Sequence, residues 1–369
     1  MRQLPIQANV PLAPLTTLEL GGHARFLLEA ADDATLVGGL RWAGARGLRV
    51  FLLGGGSNVL IADGGLDGLV IRLAQRGRRY EERDAHGVVR VHALAGEPWD
   101  ELVADTVTRG LTGLEGLSGI PGSTGATPIQ NVGAYGHEVA EVIESVRVLD
   151  LATLEQEVLS PEACRFGYRV SVFKREPGAY AVLEVSLALR VAAEPFPTAR
   201  VLHPDLRAAL SGLTATPAEV RSAVLALRRR KSMLLDPGDE NRRSVGSFFT
   251  NPVVDLAQAE LVAARAVSLG FAAAPADVPV YAAEEGSVKL SAGWLIEHAG
   301  FHKGQRWGHV GLSSRHALAL VHHGGGTTAE LLEAARQVHN RVQEAFGIRL
   351  VPEPILLGDL RWPPPPRRP

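Results

Sequence analysis

Two glycine-rich stretches constrain this chain more than any other feature. The first, "VFLLGGGSNVL" from Val50 to Leu60, runs an apolar segment into three glycines, a serine and an asparagine. Glycine has no Cβ, so it admits positive φ and lets another group come close to the main chain. Val50 to Leu53 reads as a buried strand. Two readings of the glycines stay open: a tight turn, or a row of N–H groups that holds an anion. Gly54 and Gly56 match the first two glycines of the dinucleotide fingerprint. Val59 stands where the third belongs, however, and no amphipathic helix clearly opens there, so the fingerprint fits poorly. The second stretch, "GLEGLSGIPGSTGATPIQNVGAYGHE" from Gly113 to Glu138, is too long and too apolar for an ordinary connection. Irregular segments of that length inside a folded domain are usually functional. Its donors are Ser123, Thr124, Thr127, Gln130 and Asn131. Two such loops, each after a strand-and-helix unit, favour a ligand with several phosphates or a long dinucleotide.

Around these loops α and β alternate. The spacing predicts a helix over Ala34 to Arg46 that stops at Gly47, a strand over Leu48 to Leu53 and another beginning at Leu69. The charged run after Gly77 marks a hairpin or a boundary. A strand "VVRVHALA", a helix near Trp99 to Arg109, and strands near Ser145 to Leu149 and Tyr180 to Leu189 follow. "TPAEVRSAVLALRRRK", Thr216 to Lys231, carries a capping box of Thr216 and Glu219, with proline at the first helical position. Its terminal arginines either complement the helix dipole or meet phosphate. After the polar connector "LLDPGDENRRS", helices are expected near Leu256 to Leu269, Ser291 to Ala299 and Thr327 to Phe346.

Composition narrows the class. The 369 residues suggest two or three domains, and a net charge of −2 supplies no basic field for nucleic acid or an acidic membrane. One cysteine, Cys164, excludes an intramolecular disulfide framework and a cysteine-based zinc cage, and fits a reducing cytoplasm. No apolar run is long enough to cross a bilayer, and the N-terminus is not read as a signal peptide. "RWPPPPRRP" at the end reads as a solvated polyproline II tail. No histidine pair has zinc spacing, and neither a P-loop nor a nucleophile-elbow serine is present, so no metal is expected.

Three polar residues sit in constrained surroundings. Arg169 in "CRFGYRVS" is either a structural ion-pair partner or a functional cation. Ser247 in "SVGSFFTNP" is a turn residue or a hydroxyl projected from a turn. Glu353 in "VPEP", held extended by prolines, is a surface carboxylate or a placed acid.

"LGGGSNVL", "GIPGSTGATPIQNVGAYG", "CRFGYR", "GSFFTNP", "SVKLSAGWLIE" and "VPEP" occur in this order over about Pro14 to Gly358. Together they resemble the UDP-N-acetylenolpyruvoylglucosamine reductase family, in its longer type I branch. The resemblance implies an α+β chain with a two-part FAD-binding fold of vanillyl-alcohol-oxidase type and a C-terminal α+β substrate-binding domain. Residues 1–77, joined by 352–369, would form the first FAD subdomain, 78–232 the second, and 233–351 the substrate domain. Gly54, Gly55, Gly56, Ser57 and Asn58 would wrap the FAD pyrophosphate. Ile120, Pro121, Gly122, Gly125, Ala126, Ile129, Gln130 and Gly133 would line the flavin, with Leu183 and Arg228 also near FAD.

The implied reaction is NADPH-dependent reduction of UDP-N-acetylglucosamine enolpyruvate through non-covalent FAD, giving UDP-N-acetylmuramate for cell-wall precursors. By motif position, Arg169 and Glu353 stabilise an enolate-like intermediate, Glu353 as a protonated donor, and Ser247 gives the proton. Tyr135, Lys231, Asn251, Tyr281 and Lys303 match substrate-cleft residues. Three positions depart from the family: His203 replaces a loop tyrosine, Ile355 stands where an arginine is common, and the connector after Lys231 is longer than in the enterobacterial form. A cytoplasmic monomer acting on a small molecule, without nucleic acid or membrane insertion, is expected. The alternative is another FAD-dependent oxidoreductase with the same flavin domain and a different substrate.

Overall fold

A computed structural model describes residues 4–192, 196–197, 201, 203–210, 212, 214–283 and 286–363. The proline-rich tail beyond 363 lies outside the described residues. The chain divides into two compact units. One comprises Met1–Val10, Ala24–Ser57 and Leu66–Leu234; the other comprises Pro11–His23, Asn58–Gly65 and Leu235–Pro369.

Among the described residues the first unit is built on two larger sheets, with two short two-stranded pairs beside them. In the four-stranded sheet the order is Gln7–Pro11, His23–Ala30, Leu66–Leu73, Arg49–Leu53. Its last two pairings are parallel, with Leu27 opposite Val70 and Val70 opposite Phe51. Parallel strands need a crossover, and the helix Asp33–Gly44 provides it. Asp32 caps that helix by accepting the Thr35 N–H at 2.7 Å, and Gly47 takes φ +61° just beyond its end. Leu36 and Ala43 on its inner face are buried with Leu28, Leu69 and Ile71. The strand expected at Leu69 begins three residues earlier, at Leu66.

The second sheet is antiparallel, in the order Gln156–Leu159, Ile143–Asp150, Tyr180–Val191, Val88–Leu94, Arg78–Tyr80. Of the two readings of the charged run after Gly77, a hairpin is present: Arg79 pairs with His92 and Tyr80 with Val91. Alternation buries Val89, Val91 and Ala93 of one strand against Trp99 and Leu102 of the helix Trp99–Thr108. The Trp99 Nε1–H donates to Leu117 O at 3.1 Å, which satisfies a polar atom on a fully buried ring. The helix Pro217–Arg230 forms with its expected capping box.

Among the described residues the second unit packs two small antiparallel sheets with three α-helices. One sheet orders Val253–Asp255, Ser287–Leu290, Val280–Ala282, and the other Arg306–Trp307, Val310–Leu312, Leu320–His322. The helices are Leu256–Ser268, Ala292–His298 and Thr328–Phe346. The long helix buries Leu331, Leu332, Ala335, Val338, Val342 and Phe346, the stripe its 3.6-residue period requires. A parallel pair joins Val59–Ile61 to Ile355–Leu357, so the chain just after the first glycine loop lies beside the chain just after "VPEP".

Candidate functional site

In the first unit the two glycine stretches meet. The strand Arg49–Leu53 ends at Gly54, and Gly56 adopts φ +66°. The Ser57 hydroxyl donates to Pro121 O at 3.0 Å. A Cβ on Gly55 would stand 2.8 Å from the Gly122 Cα, and one on Gly54 would stand 2.6 Å from the Ser123 Oγ. Gly122 itself sits at φ +121°, and its Cβ would meet the Ser57 Oγ at 2.6 Å. The bare backbone is therefore required first by loop-on-loop packing, a reason the sequence did not disclose. Gly125 is pressed equally hard on the Ala95 backbone, and its N–H donates to Ala95 O at 2.9 Å.

Three of the five donors of the second stretch are spent on other protein groups. Thr124 Oγ1 donates to Glu97 O at 3.0 Å, and Thr127 Oγ1 donates to Thr124 O at 2.8 Å. The Asn131 amide gives hydrogen bonds to Glu138 at 2.6 Å and to Gly167 O at 3.1 Å, and its Oδ1 accepts the Ala140 N–H at 3.1 Å. These buried side chains shape the loop, because a buried polar group without a partner is costly. Ile120, Pro121, Ala126, Ile129 and Gln130 are only partly buried, whereas Leu183 is fully buried in the core beneath the first sheet.

Arg169 stands at φ +55° and anchors on this same loop. Its guanidinium donates to Asn131 O at 3.2 Å and to Gly133 O, and Glu138 lies 3.9 Å away. The ion-pair reading of Arg169 thus has a partner, and the cation is also fixed against the glycine loop.

A third cluster in the first unit follows the capping-box helix. Arg228 is buried; its Nη2 donates to Met233 O at 2.8 Å, while its Nε has no hydrogen-bond partner. Burial lowers its pKa, and a Cβ on Gly119 of the second loop would lie 3.3 Å from that Nε. Tyr135 at φ +53° packs edge-on against His203, with ring centroids 5.1 Å apart. Lys231 Nζ is 3.4 Å from the Asp205 carboxylate. Burial holds His203 below the ordinary imidazole pKa, and its Nδ1 is buried without a partner. A buried cation with an open N–H beside a glycine loop that tolerates no side chain suits an anionic dinucleotide, so these residues fit FAD. Gly54, Gly55, Ser57, Gly122 and Arg228 would hold it.

In the second unit Ser247 and Glu353 share a junction. The Glu353 N–H donates to Phe248 O at 2.8 Å, and the Phe248 N–H donates to Leu318 O at 2.7 Å. Both Phe248 and Phe249 are buried, so the turn that carries Ser247 is anchored on its C-terminal side. Asn58 joins the same junction: its Nδ2 donates to Glu353 O at 3.5 Å, and its O accepts the Ile355 N–H at 3.0 Å. Asn251 accepts the Ala292 N–H at 3.0 Å, at the start of a helix. Lys303 pairs with Glu297 at 3.1 Å, and Tyr281 stands half-exposed on an edge strand. Sequence reasoning missed His316, whose Nε2 lies 3.5 Å from the Ser247 Oγ. The two are 69 residues apart, and "SSRHALA" carries no motif that would have flagged it.

Comparison with known proteins bears on these arrangements. Residues 24–156 match the model of a FAD binding domain, and residues 236–357 match the C-terminal domain of UDP-N-acetylenolpyruvoylglucosamine reductase. The chain is 47% identical over 352 residues to the Saccharopolyspora erythraea protein named UDP-N-acetylenolpyruvoylglucosamine reductase, covering 94% of each. It is 48% identical over 358 residues to the Mycolicibacterium gilvum protein of that name, covering 96% of this chain and 97% of the relative. The crystal structure of the Thermus caldophilus enzyme of that family superposes with TM-score 0.63 at 26% identity, over 96% of this chain and 99% of that one.

The chain is a flavin-dependent oxidoreductase of α+β fold. It belongs to the UDP-N-acetylenolpyruvoylglucosamine reductase family.

Proposed function

We propose that this protein uses NADPH to reduce the enolpyruvyl ether of UDP-N-acetylglucosamine to UDP-N-acetylmuramate, as a cytoplasmic monomer. The observation that carries the chemical part of this reading is the Phe248 junction, which fixes Ser247 and Glu353 to one stretch of backbone. FAD, when bound, supplies the hydride. The protein's own task is charge and proton control. Glu353, protonated, donates a hydrogen bond to the substrate carboxylate as negative charge grows there. Arg169 supplies the cation for the same charge. Ser247 gives its proton to the carbon beside the carboxylate, completing the saturated lactyl ether. Tyr135, Lys231, Asn251, Tyr281 and Lys303 take the nucleotide sugar. In this reading residues 1–77 with 352–369 and residues 78–232 act as the two FAD subdomains, and 233–351 acts as the substrate domain.

The test is anaerobic. Purified yellow protein is mixed with NADPH until the flavin bleaches, and the enolpyruvyl nucleotide sugar is then added. Rapid return of the oxidised flavin spectrum with formation of UDP-N-acetylmuramate is expected. Bleaching without substrate-driven reoxidation would instead place the chain among flavin enzymes of another substrate. Product formed in D2O should carry solvent deuterium at the carbon next to the carboxylate.

A further inference from the structure

A serine hydroxyl is a weak acid, so its proton moves to carbon only if the alkoxide left behind is stabilised or reprotonated at once. The second unit offers a group placed for this. The His316 Nε2 faces the Ser247 Oγ at 3.5 Å. Hydrogen bonds in ligand-free active sites are often that long and tighten in the complex. The imidazole is not loosely hung. His316 sits in the short connection between the strands Val310–Leu312 and Leu320–His322, and that connection is bonded along its length. Ser313, almost fully buried, donates its N–H to Ala319 O at 2.8 Å and accepts the Arg315 N–H on its hydroxyl at 3.1 Å. The Ala319 N–H donates to His316 O at 3.1 Å, and Leu318 O receives the Phe248 N–H. The loop that carries the ring is thus stitched to the residue that follows Ser247.

We propose that His316 is a positioning and proton-relay residue acting through Ser247, an inference that rests on the function proposed above. The Ser247 O–H bond breaks as the new C–H bond forms at the carbon beside the substrate carboxylate. The Nε2–H bond of protonated His316 then breaks and the Ser247 O–H is restored. The ring becomes neutral, and a proton taken up from the bulk medium restores its charge before the next turnover. No oxidant or reductant is consumed in this step. The charged groups on the segments packed at this corner include Arg315 next in the loop and Glu240, which accepts from the Ser314 hydroxyl. Lys303, which precedes the Gly304 N–H bonded to Ser313 O, and Glu353 on the Phe248 junction are among them.

His316→Gln keeps a hydrogen-bonding group but cannot relay a proton; His316→Asn is the second variant should the first fold poorly. Flavin content and NADPH bleaching should match wild type in either. Substrate-driven reoxidation should slow about tenfold to hundredfold, less than the roughly 10²–10⁴ that a direct general acid carries. Its pH profile should lose the limb set by a histidine. Combining His316→Gln with Ser247→Ala should slow reoxidation no further than Ser247→Ala alone, because the two act as one unit. The ring resonance of His316 should titrate at a different pH in Ser247→Ala than in wild type, even without substrate. A wild-type reoxidation rate in both His316 variants, an unchanged pH limb, or multiplicative losses in the double variant would overturn the relay. Failure of the unaltered protein to respond to the enolpyruvyl sugar would instead overturn the proposed function.

Discussion

In the proposed reaction single residues carry the chemistry, and their surroundings separate them. Ser247 projects from a turn whose next two residues are buried aromatics with ring centroids 5.1 Å apart. Those rings anchor the turn, so Ser247→Ala should leave flavin content, thermal stability and NADPH bleaching near wild type. The same change should slow substrate-driven reoxidation by about 10²–10⁴, read by stopped-flow absorbance. A near-wild-type rate would reduce Ser247 to a turn residue. Glu353 differs, because its backbone is bonded into the junction on both its N–H and its carbonyl. Glu353→Gln retains the backbone bonds and a donor but removes the acid. Reoxidation should fall by roughly 10²–10³ while bleaching by NADPH is unchanged, as for loss of one stabiliser of developing charge. Equal slowing of both halves would point to a disturbed fold. The candidate residues were legible in the sequence because each lies in a short motif. Their partners were not, since Asn131, Gly133 and Glu138 beside Arg169, or His316 beside Ser247, come from distant segments or from side chains that carry no motif.

At the scale of elements, the glycine loops show how packing accounts for composition. Gly55 has no positive φ that would exclude an L-residue; only space excludes one, since its Cβ would lie 2.8 Å from the Gly122 Cα. Gly55→Ala therefore tests packing alone. It should separate the two loops, lower stability by roughly 1–3 kcal/mol, as overpacking does, and sharply reduce the FAD that copurifies. Differential scanning calorimetry and flavin absorbance on the same preparation check both, and normal flavin content with normal stability would remove the loop contact from the account. The helices behaved as their signals required. Asp32, Thr216, Asp255, Ser291 and Thr327 each cap a helix with a side-chain oxygen. Those signals are local, which is why they can be read from a window of a few residues. The donors of the second loop misled for the opposite reason. Thr124, Thr127 and Asn131 look available in sequence, yet the fold folds them inward onto Glu97 O, Thr124 O and Glu138.

For the molecule as a whole, buried histidines contribute to the loss of stability in acid. His339 is 1% exposed, with its ring nitrogen bonded to Leu350 O at 3.0 Å. Burial drives its pKa below the ordinary value, and the Arg349 cation adds to this. The unfolded chain then binds more protons than the folded one between the depressed value and about 6.5, so stability rises with pH through that window. Unfolding free energy should decline as pH falls below about 6.5, read from denaturant midpoints. His339→Gln should flatten that decline; a slope unchanged by the substitution would assign the acid loss to other groups. His203 and His323, also lowered by burial, contribute in the same direction. The sequence alone determined what depends on neighbours along the chain: helix spans with their caps, strand alternation, the two glycine stretches, and the ordered motifs that mark the family. Tertiary structure alone decided that the first glycine stretch needs its bare backbone to admit Gly122 and Ser123. It also decided that Asn58, Ser247 and Glu353 meet at one backbone junction, and that His316 faces the serine. These contacts join residues tens to hundreds of positions apart. Such pairings are selected by the packing of whole elements around a core, and no local pattern of residue types encodes them.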